Sequence, residues 1–298
     1  MKAELSDRLF DEGEGLFELN PSKLQCYLDC PRQYKFRYVD RRSERRAFGP
    51  TALGLSVHKA LRVFYGMDRD ERTLENLLRA LRRSWDGTGY RSAKEAEEAY
   101  ARAEDMLTRY HAGTNPQRHR VVAMESKFSH ARSSEGILVT GRVDRLDIDG
   151  GQYVIVDYKT GRFGEDAGKL DESLPLSLYA IAVSAVLGRE VSRIAVEHLS
   201  TGRRVETRRD AKRLNLDWEL LTMYTREMRL TGVFPPTPGP LCRWCDYLVA
   251  CPEGRASVRS GDEPASATPS VPSDGPWLPG RMANSPDLDV PPLEEEPS

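Results

Sequence analysis

Two groups of side chains in this 298-residue chain have types and spacing suited to chemistry. The first is acidic. Residues 137–161 read as a β-hairpin, because stretches rich in Val, Ile and Leu flank Asp149-Gly150-Gly151, and tight primed turns need the positive φ that glycine takes freely. With Gly150 and Gly151 as the loop, Asp149 faces Gln152, and counting back sets Asp144 opposite Asp157. Side chains alternate along a strand, so Asp144, Leu146 and Ile148 share a face with Tyr153, Ile155, Asp157 and Lys159. Opposed carboxylates repel at Cβ separations of about 4.5–5.5 Å, and a hard divalent cation held by oxygen ligands would offset that repulsion. A register slip of one residue would instead leave both aspartates solvated on an exposed face.

The second group is thiol. Cys242, Cys245 and Cys251-Pro252 follow directly on the proline-rich stretch 234–240. In a reducing compartment, thiols this close in sequence point to metal ligation rather than to a disulfide framework. A tetrahedral metal or an iron–sulfur cubane takes four thiolates, so the fourth is Cys30 or Cys26, and Cys30-Pro31 repeats the Cys251-Pro252 pair. A site built from Cys30, Cys242, Cys245 and Cys251 would tie the two ends of a domain together. Four cysteines suit zinc as well as a [4Fe-4S] cluster, and reduced thiols without metal are the plain alternative.

The elements that position these groups are legible in part. Asn20-Pro21-Ser22 turns toward a helix with Ser22 as its N-cap, and Pro31 ends that helix before a turn carrying Tyr34, Phe36 and Tyr38. Leu53, Val57, Leu61 and Phe64 mark one stripe of a helix over residues 51–65, with His58 beside it. Residues 71–112 continue as helices whose inner face carries Leu74, Leu77, Leu78, Leu81 and Trp85. A strand at 121–130 contains Glu125 and leads into the hairpin. A helix over 171–187, strands at 191–199 and 203–208, and a helix over 211–230 complete the pattern. Strands interleaved with helices around an antiparallel hairpin predict an α/β fold with a mixed sheet.

Composition bounds the rest. The chain is 39% hydrophobic and 30% charged, with no apolar run long enough for a membrane span and no apolar core of a secretory signal, so a cytoplasmic protein is expected. Of the formal net charge of −2, residues 256–298 carry −6, which leaves +4 on residues 1–255. That balance is compatible with a polyanionic partner but does not identify one. Arg41, Arg42, Arg45 and Arg46 form a basic cluster of the kind usually found in a solvated loop. Nine of the nineteen prolines lie in 256–298, an acidic Pro/Ser-rich tail expected to be disordered, with Trp277-Leu278 its one candidate docking motif. The expected organisation is an irregular 1–19, a domain over 20–255 with a helical insertion at about 66–118, and the tail.

In combination and order, Gly54-x3-His58, Gly141-x2-Asp144, Asp157-Tyr158-Lys159-Thr160-Gly161 and Tyr179 resemble the RecB-like branch of the PD-(D/E)xK nuclease superfamily. With Cys30 before these motifs and Cys242, Cys245 and Cys251 after them, the chain resembles more narrowly the iron–sulfur nucleases typified by the AddB C-terminal domain and the small CRISPR-associated exonucleases. The match runs over residues 20–253, and it departs from the family at Pro175, where a Gln is common, and at Cys26, which has no counterpart.

The resemblance implies a restriction-endonuclease-like mixed sheet and a nuclease that cuts DNA from ends with Mg²⁺ or Mn²⁺. It implies that His58, Asp144, Asp157 and the Tyr158 carbonyl hold the cation. Lys159 would orient the attacking water or stabilise developing charge, since an amine with an ordinary pKa of about 10.4 is a poor base at neutral pH. Tyr179 and Glu125 would support the site, and a helicase or a CRISPR adaptation protein is the partner class implied. The rival is a non-catalytic DNA-binding or complex-building subunit that keeps the fold and the cysteine site.

Overall fold

The computed structural model describes residues 15–42, 49–161 and 167–260. Its centre is a mixed six-stranded sheet, ordered β1-β3-β4-β5-β6 with β2 also on β3. The strands are β1 (Phe17–Leu19), β2 (Arg120–Arg132), β3 (Ile137–Asp149), β4 (Gln152–Lys159), β5 (Arg193–His198) and β6 (Arg203–Arg208). The hairpin register is the one expected, with Asp149 on Gln152 and Arg145 on Val156, and both Gly150 and Gly151 take positive φ.

The thirteen-residue strand β3 organises the sheet. Along one edge it pairs with β2 antiparallel. Its other edge is shared, by β1 in parallel at residues 137–139 and by β4 antiparallel at residues 145–149. Residues 140–144 lie at the fork between those two partners, and Asp144 stands where the β4 ladder ends.

Two cores form, one on each face, because β4 and β5 alternate apolar side chains in both directions. Leu146, Tyr153, Ile155, Ile194 and Val196 pack under α1 (Pro21–Asp29), α7 (Leu174–Leu187) and α8 (Ala211–Leu230). Val154, Val156, Tyr158, Ala195 and Leu199 pack under α3 (Gly49–Tyr65), α4 (Leu74–Ser84) and α5 (Ala93–Gly113). Each fully buried Leu, Ile, Val or Phe here contributes about 1.5–3 kcal/mol. The second core also encloses Arg145, which donates to the hydroxyls of Tyr110 at 2.7 Å and Tyr158 at 2.6 Å and to Asp147 at 3.1 Å. Burial raises the Asp147 pKa even beside that guanidinium, and burial pushes His119, 3.6 Å away, down to about 4 with help from the Arg145 charge.

The structure departs from the sequence expectations at four places, three of them between residues 17 and 187. Asn20, not Ser22, caps α1: its Oδ1 accepts from Lys23 N at 2.8 Å, and Pro21, whose fixed φ suits the first helical position, opens the helix. Residues 17–19, expected to be irregular, form β1, a strand too short to show periodicity. The helix expected from about 171 to 187 is α7, which starts at Leu174 with Pro175 in its first turn, while residues 171–172 end a separate short helix, α6 (Ala167–Glu172).

At the C-terminal side, α9 (Pro252–Arg259) continues helical past residue 256, and α2 (Pro31–Tyr34) follows α1 directly. The tail expected from 256 therefore gives up residues 256–259 to α9, and its part from 261, with Trp277 and Leu278, lies outside the described residues, as do Arg45 and Arg46. Among the described residues, no helix is long and apolar enough to cross a membrane.

Candidate metal centre and cysteine site

The fork in the sheet collects acids from three strands. Register pairs Met124 with Arg145 and Ser126 with Val143, so Glu125 of β2 stands beside Asp144 of β3. The hairpin register carries the same row across to Asp157 of β4. Glu125 has φ +48°, a left-handed conformation costly for a non-glycine residue, and such strain persists where the surroundings over-determine it. Its surroundings do so, since Arg142 Nη1 donates to Oε2 at 2.9 Å and His58 Nδ1 lies 3.5 Å from Oε1.

His58 reaches this row from α3. Its Nδ1 is also 3.5 Å from Asp144 Oδ1, while Nε2 is buried without a hydrogen-bond partner among the described residues. Burial pulls the His58 pKa down, but Asp144 and Glu125 outweigh it and hold the imidazole well above its ordinary value. Glu125 is correspondingly pulled below its ordinary value by His58 and Arg142, against the opposing effect of burial. His58, Glu125 and Asp144 bring ligand atoms within 4.8 Å of one another, the one such group of three among the described residues. The donor set fits a hard divalent cation, which would take the place of the imidazolium proton. Glu125 is therefore nearer the centre than the supporting role expected of it, and its only sequence signal is an acid in an otherwise amphipathic strand.

Asp157 and Asp144 do not confront each other bare, as strand register alone suggests. Asp144 Oδ2 accepts from Tyr158 N at 2.9 Å, and Asp157 Oδ2 lies 2.9 Å from Lys159 Nζ. Protein groups thus offset the repulsion that, from sequence, calls for a cation. Tyr158 is locked between the two acids, its ring edge-on to His58 at 5.8 Å and its hydroxyl held by Arg145.

Two glycines explain how helix and strand approach so closely. A Cβ on Gly54 would stand 3.2 Å from Thr160 Oγ1, so the small residue lets α3 bring His58 down on the end of β4. A Cβ on Gly141 would meet the Phe128 ring at 2.4 Å. That ring packs edge-on against Tyr179 of α7 at 5.8 Å, which places Tyr179 behind the fork through Phe128. Overpacking of this kind costs about 1–3 kcal/mol, so Gly141→Ala is expected to lower stability by that amount in urea denaturation, with an unchanged midpoint as the contrary result.

The four cysteines named from sequence converge. Cys30, Cys242, Cys245 and Cys251 line one small, partly open cavity. Cys30 and Cys251 are both extended N-caps followed by a proline that opens a helix, α2 and α9 respectively. Backbone amides point at the sulfurs: Thr237 N to Cys30 Sγ, Gly239 N to Cys242 Sγ and Gly254 N to Cys251 Sγ, each at 3.4 Å. Burial pushes the Cys245 thiol up to about 11, with Cys30 and Cys242 adding to the rise. Cys26 is buried outside the cavity, and burial pushes its thiol to about 12. Arg32 ties the region to the rest through Nε to Phe234 O at 2.9 Å.

Comparison with known proteins places this geometry. The gene 69 protein of Mycobacterium phage D29 is 24% identical over 265 residues, covering 78% of this chain and 95% of that protein. An ATP-dependent helicase/deoxyribonuclease subunit of Clostridium perfringens is 24% identical over 208 residues, 59% of this chain, which spans only 18% of that protein's length. The solved structure of SSO0001 overlays with a TM-score of 0.41 at 12% identity, covering 84% of this chain and 93% of that one. Residues 18–252 match the PD-(D/E)XK nuclease superfamily, a span that takes in the fork, His58 and all four cysteines, and the chain belongs to that superfamily.

Proposed function

We propose that this chain is a divalent-cation-dependent DNA nuclease that works from ends. The observation that carries the reading is the convergence of His58, Glu125 and Asp144 within 4.8 Å at the strand fork, in the same cross-strand row as the Asp157–Lys159 pair. His58, Glu125, Asp144 and Asp157, with the Tyr158 carbonyl, are the residues that would hold Mg²⁺ or Mn²⁺. When bound, the cation polarises the scissile phosphate and lowers the pKa of its water. Lys159 supplies positive charge where negative charge develops and orients the attacking water. Tyr179 supports the acids from behind by fixing Phe128 against Gly141.

DNA as substrate is supported by family membership and by the deoxyribonuclease named among the relatives. That relative's name also motivates a helicase as partner, with CRISPR-related DNA processing the other setting that suits an end-directed nuclease. Incubation with linear and covalently closed DNA in Mn²⁺ tests the reading. Loss of the linear form alone is expected, whereas nicking of closed circles at a similar rate contradicts action from ends.

The second part of the proposal is a [4Fe-4S] cluster on Cys30, Cys242, Cys245 and Cys251, with zinc as the rival occupant. Sulfurs on one tetrahedral zinc, at Zn–S of about 2.3 Å, stand only about 3.8 Å apart. No three of these thiols are grouped within 4.8 Å among the described residues, a wider spacing than one tetrahedral zinc takes, which favours the larger cluster. Ligation free energy of this kind is folding free energy, about 10 kcal/mol or more in zinc peptides. Anaerobic preparations are therefore expected to be brown, absorbing near about 400 nm as thiolate-ligated clusters do. Cys242→Ser should bleach that band and lower the melting temperature by more than about 10 °C. A colourless protein with one zinc per chain by elemental analysis overturns the cluster.

A further inference from the structure

Among the described residues, one buried polar side chain that the mechanism has not used lies on the strand next to the Asp157–Lys159 pair. His198 ends β5, and the β4–β5 register pairs it with Lys159, as Val196 pairs with Asp157. Paired residues project to the same side of a sheet, so His198 shares its face with Asp157 and Lys159. It is only 2% exposed, and neither Nδ1 nor Nε2 has a hydrogen-bond partner among the described residues. Buried polar side chains almost always have partners, and an orphan calls for an explanation.

The local backbone is held firmly. Leu199 N donates to Lys159 O at 2.9 Å, Gly202 N to His198 O at 2.8 Å, and the Ser200 hydroxyl to Gly161 O. Burial, then the charges of Lys159 and Arg203, keep the ring below its ordinary pKa, so one nitrogen is left as an acceptor. The groups paired with it on its two neighbouring strands, Lys159 of β4 and Arg203 of β6, are thus cationic, and both are donors.

Lys159 meanwhile has its ammonium 2.9 Å from Asp157 Oδ2. In the proposed function that carboxylate also serves the cation, and His198, on the paired strand and the same face, offers a further acceptor to an ammonium that gives it up. We propose that His198 is a positioning residue for Lys159, its imidazole accepting a hydrogen bond from the lysine ammonium when Asp157 engages a divalent cation. This inference rests on the cation-dependent reading of the same site.

The test uses the full chain with ¹⁵N-histidine, the His198 signals being assigned by their disappearance in His198→Gln. Adding Mg²⁺ is expected to move the unprotonated ring nitrogen of His198 upfield, the direction of hydrogen-bond acceptance, and Lys159→Ala should abolish that movement. No movement in the wild type, or the same movement in Lys159→Ala, overturns the inference.

A kinetic arm separates positioning from structure. His198→Leu is expected to lower kcat for Mn²⁺-dependent DNA cleavage by about tenfold with KM unchanged, and His198→Gln, which restores an acceptor, to recover most of it. Equal losses in both variants, or a loss confined to KM, count against the inference. If Asp157→Ala is inactive while His198→Leu is fully active, the inference alone fails. If Asp157→Ala retains activity, the underlying function fails first.

Discussion

Asp157→Ala and Asp144→Ala are each expected to lower the rate of Mn²⁺-dependent DNA cleavage by about 10³-fold or more, and Lys159→Ala by about 10²–10³-fold. The acids occupy adjacent strands at the place where β3 is left between partners, and Glu125, the carboxylate beside them, is already engaged by Arg142 and His58. Removing Asp144 takes away one of three clustered ligands, leaves Tyr158 N without its acceptor and leaves His58 Nδ1 with Glu125 alone. Removing Asp157 deprives Lys159 of the anion 2.9 Å from its amine. DNA affinity should change far less, because phosphate contacts spread over a surface set binding, whereas these groups act at one bond. Initial rates on end-labelled DNA with anisotropy binding on the same preparations check both halves, and a variant that cuts at the wild-type rate refutes its residue's role.

Arg145→Ala is expected to destabilise the fold by about 3–5 kcal/mol, the usual cost of removing one partner from a buried charged network. Arg145 is fully buried, and besides its bonds to Asp147, Tyr110 and Tyr158 it lies 3.8 Å from Glu197 and over the Tyr65 ring at 4.6 Å. Its loss leaves Asp147 buried without its principal cation, the Tyr158 hydroxyl without its donor and the Tyr110 hydroxyl with Tyr65 alone. Lysine is not a substitute, since a point charge cannot reproduce the planar fork that reaches an acid and two hydroxyls at once. Arg145→Lys should therefore recover little. Urea denaturation at neutral pH reads the effect, and a loss below about 1 kcal/mol would show the network to be dispensable. Activity should fall as well, because the same guanidinium fixes Tyr158, whose backbone N–H holds Asp144.

Much of this arrangement is legible in the sequence. The hairpin turn sets its own register, since Asp149-Gly150-Gly151 admits few alternatives, and alternation then names the face of Asp157 and Lys159. Helix α3 is marked by a periodic apolar stripe, with Val57, Leu61 and Phe64 buried as the spacing expects. Three kinds of information are hidden. Short elements such as β1 carry too few residues to show a period. Local chemistry misleads where two residues compete, as with Asn20 and Ser22 for the cap, or where Pro175 looks like a departure in a motif but acts as the first turn of α7. Tertiary neighbours are invisible: nothing in the sequence says that Glu125 adopts a left-handed conformation beside Asp144, or that His198 faces Lys159. The cysteines are readable by number and order, while their convergence on one cavity is a fact of folding.

Whether the acids at the fork make this chain a cation-dependent nuclease is decided by cleavage of end-labelled linear DNA. The anaerobically purified full chain is incubated with that DNA in Mn²⁺, beside the same reaction in EDTA and beside Asp157→Ala in Mn²⁺. Progressive shortening is expected in the first reaction and intact DNA in the other two. Intact DNA in all three, or equal shortening in EDTA or with Asp157→Ala, would contradict the assignment.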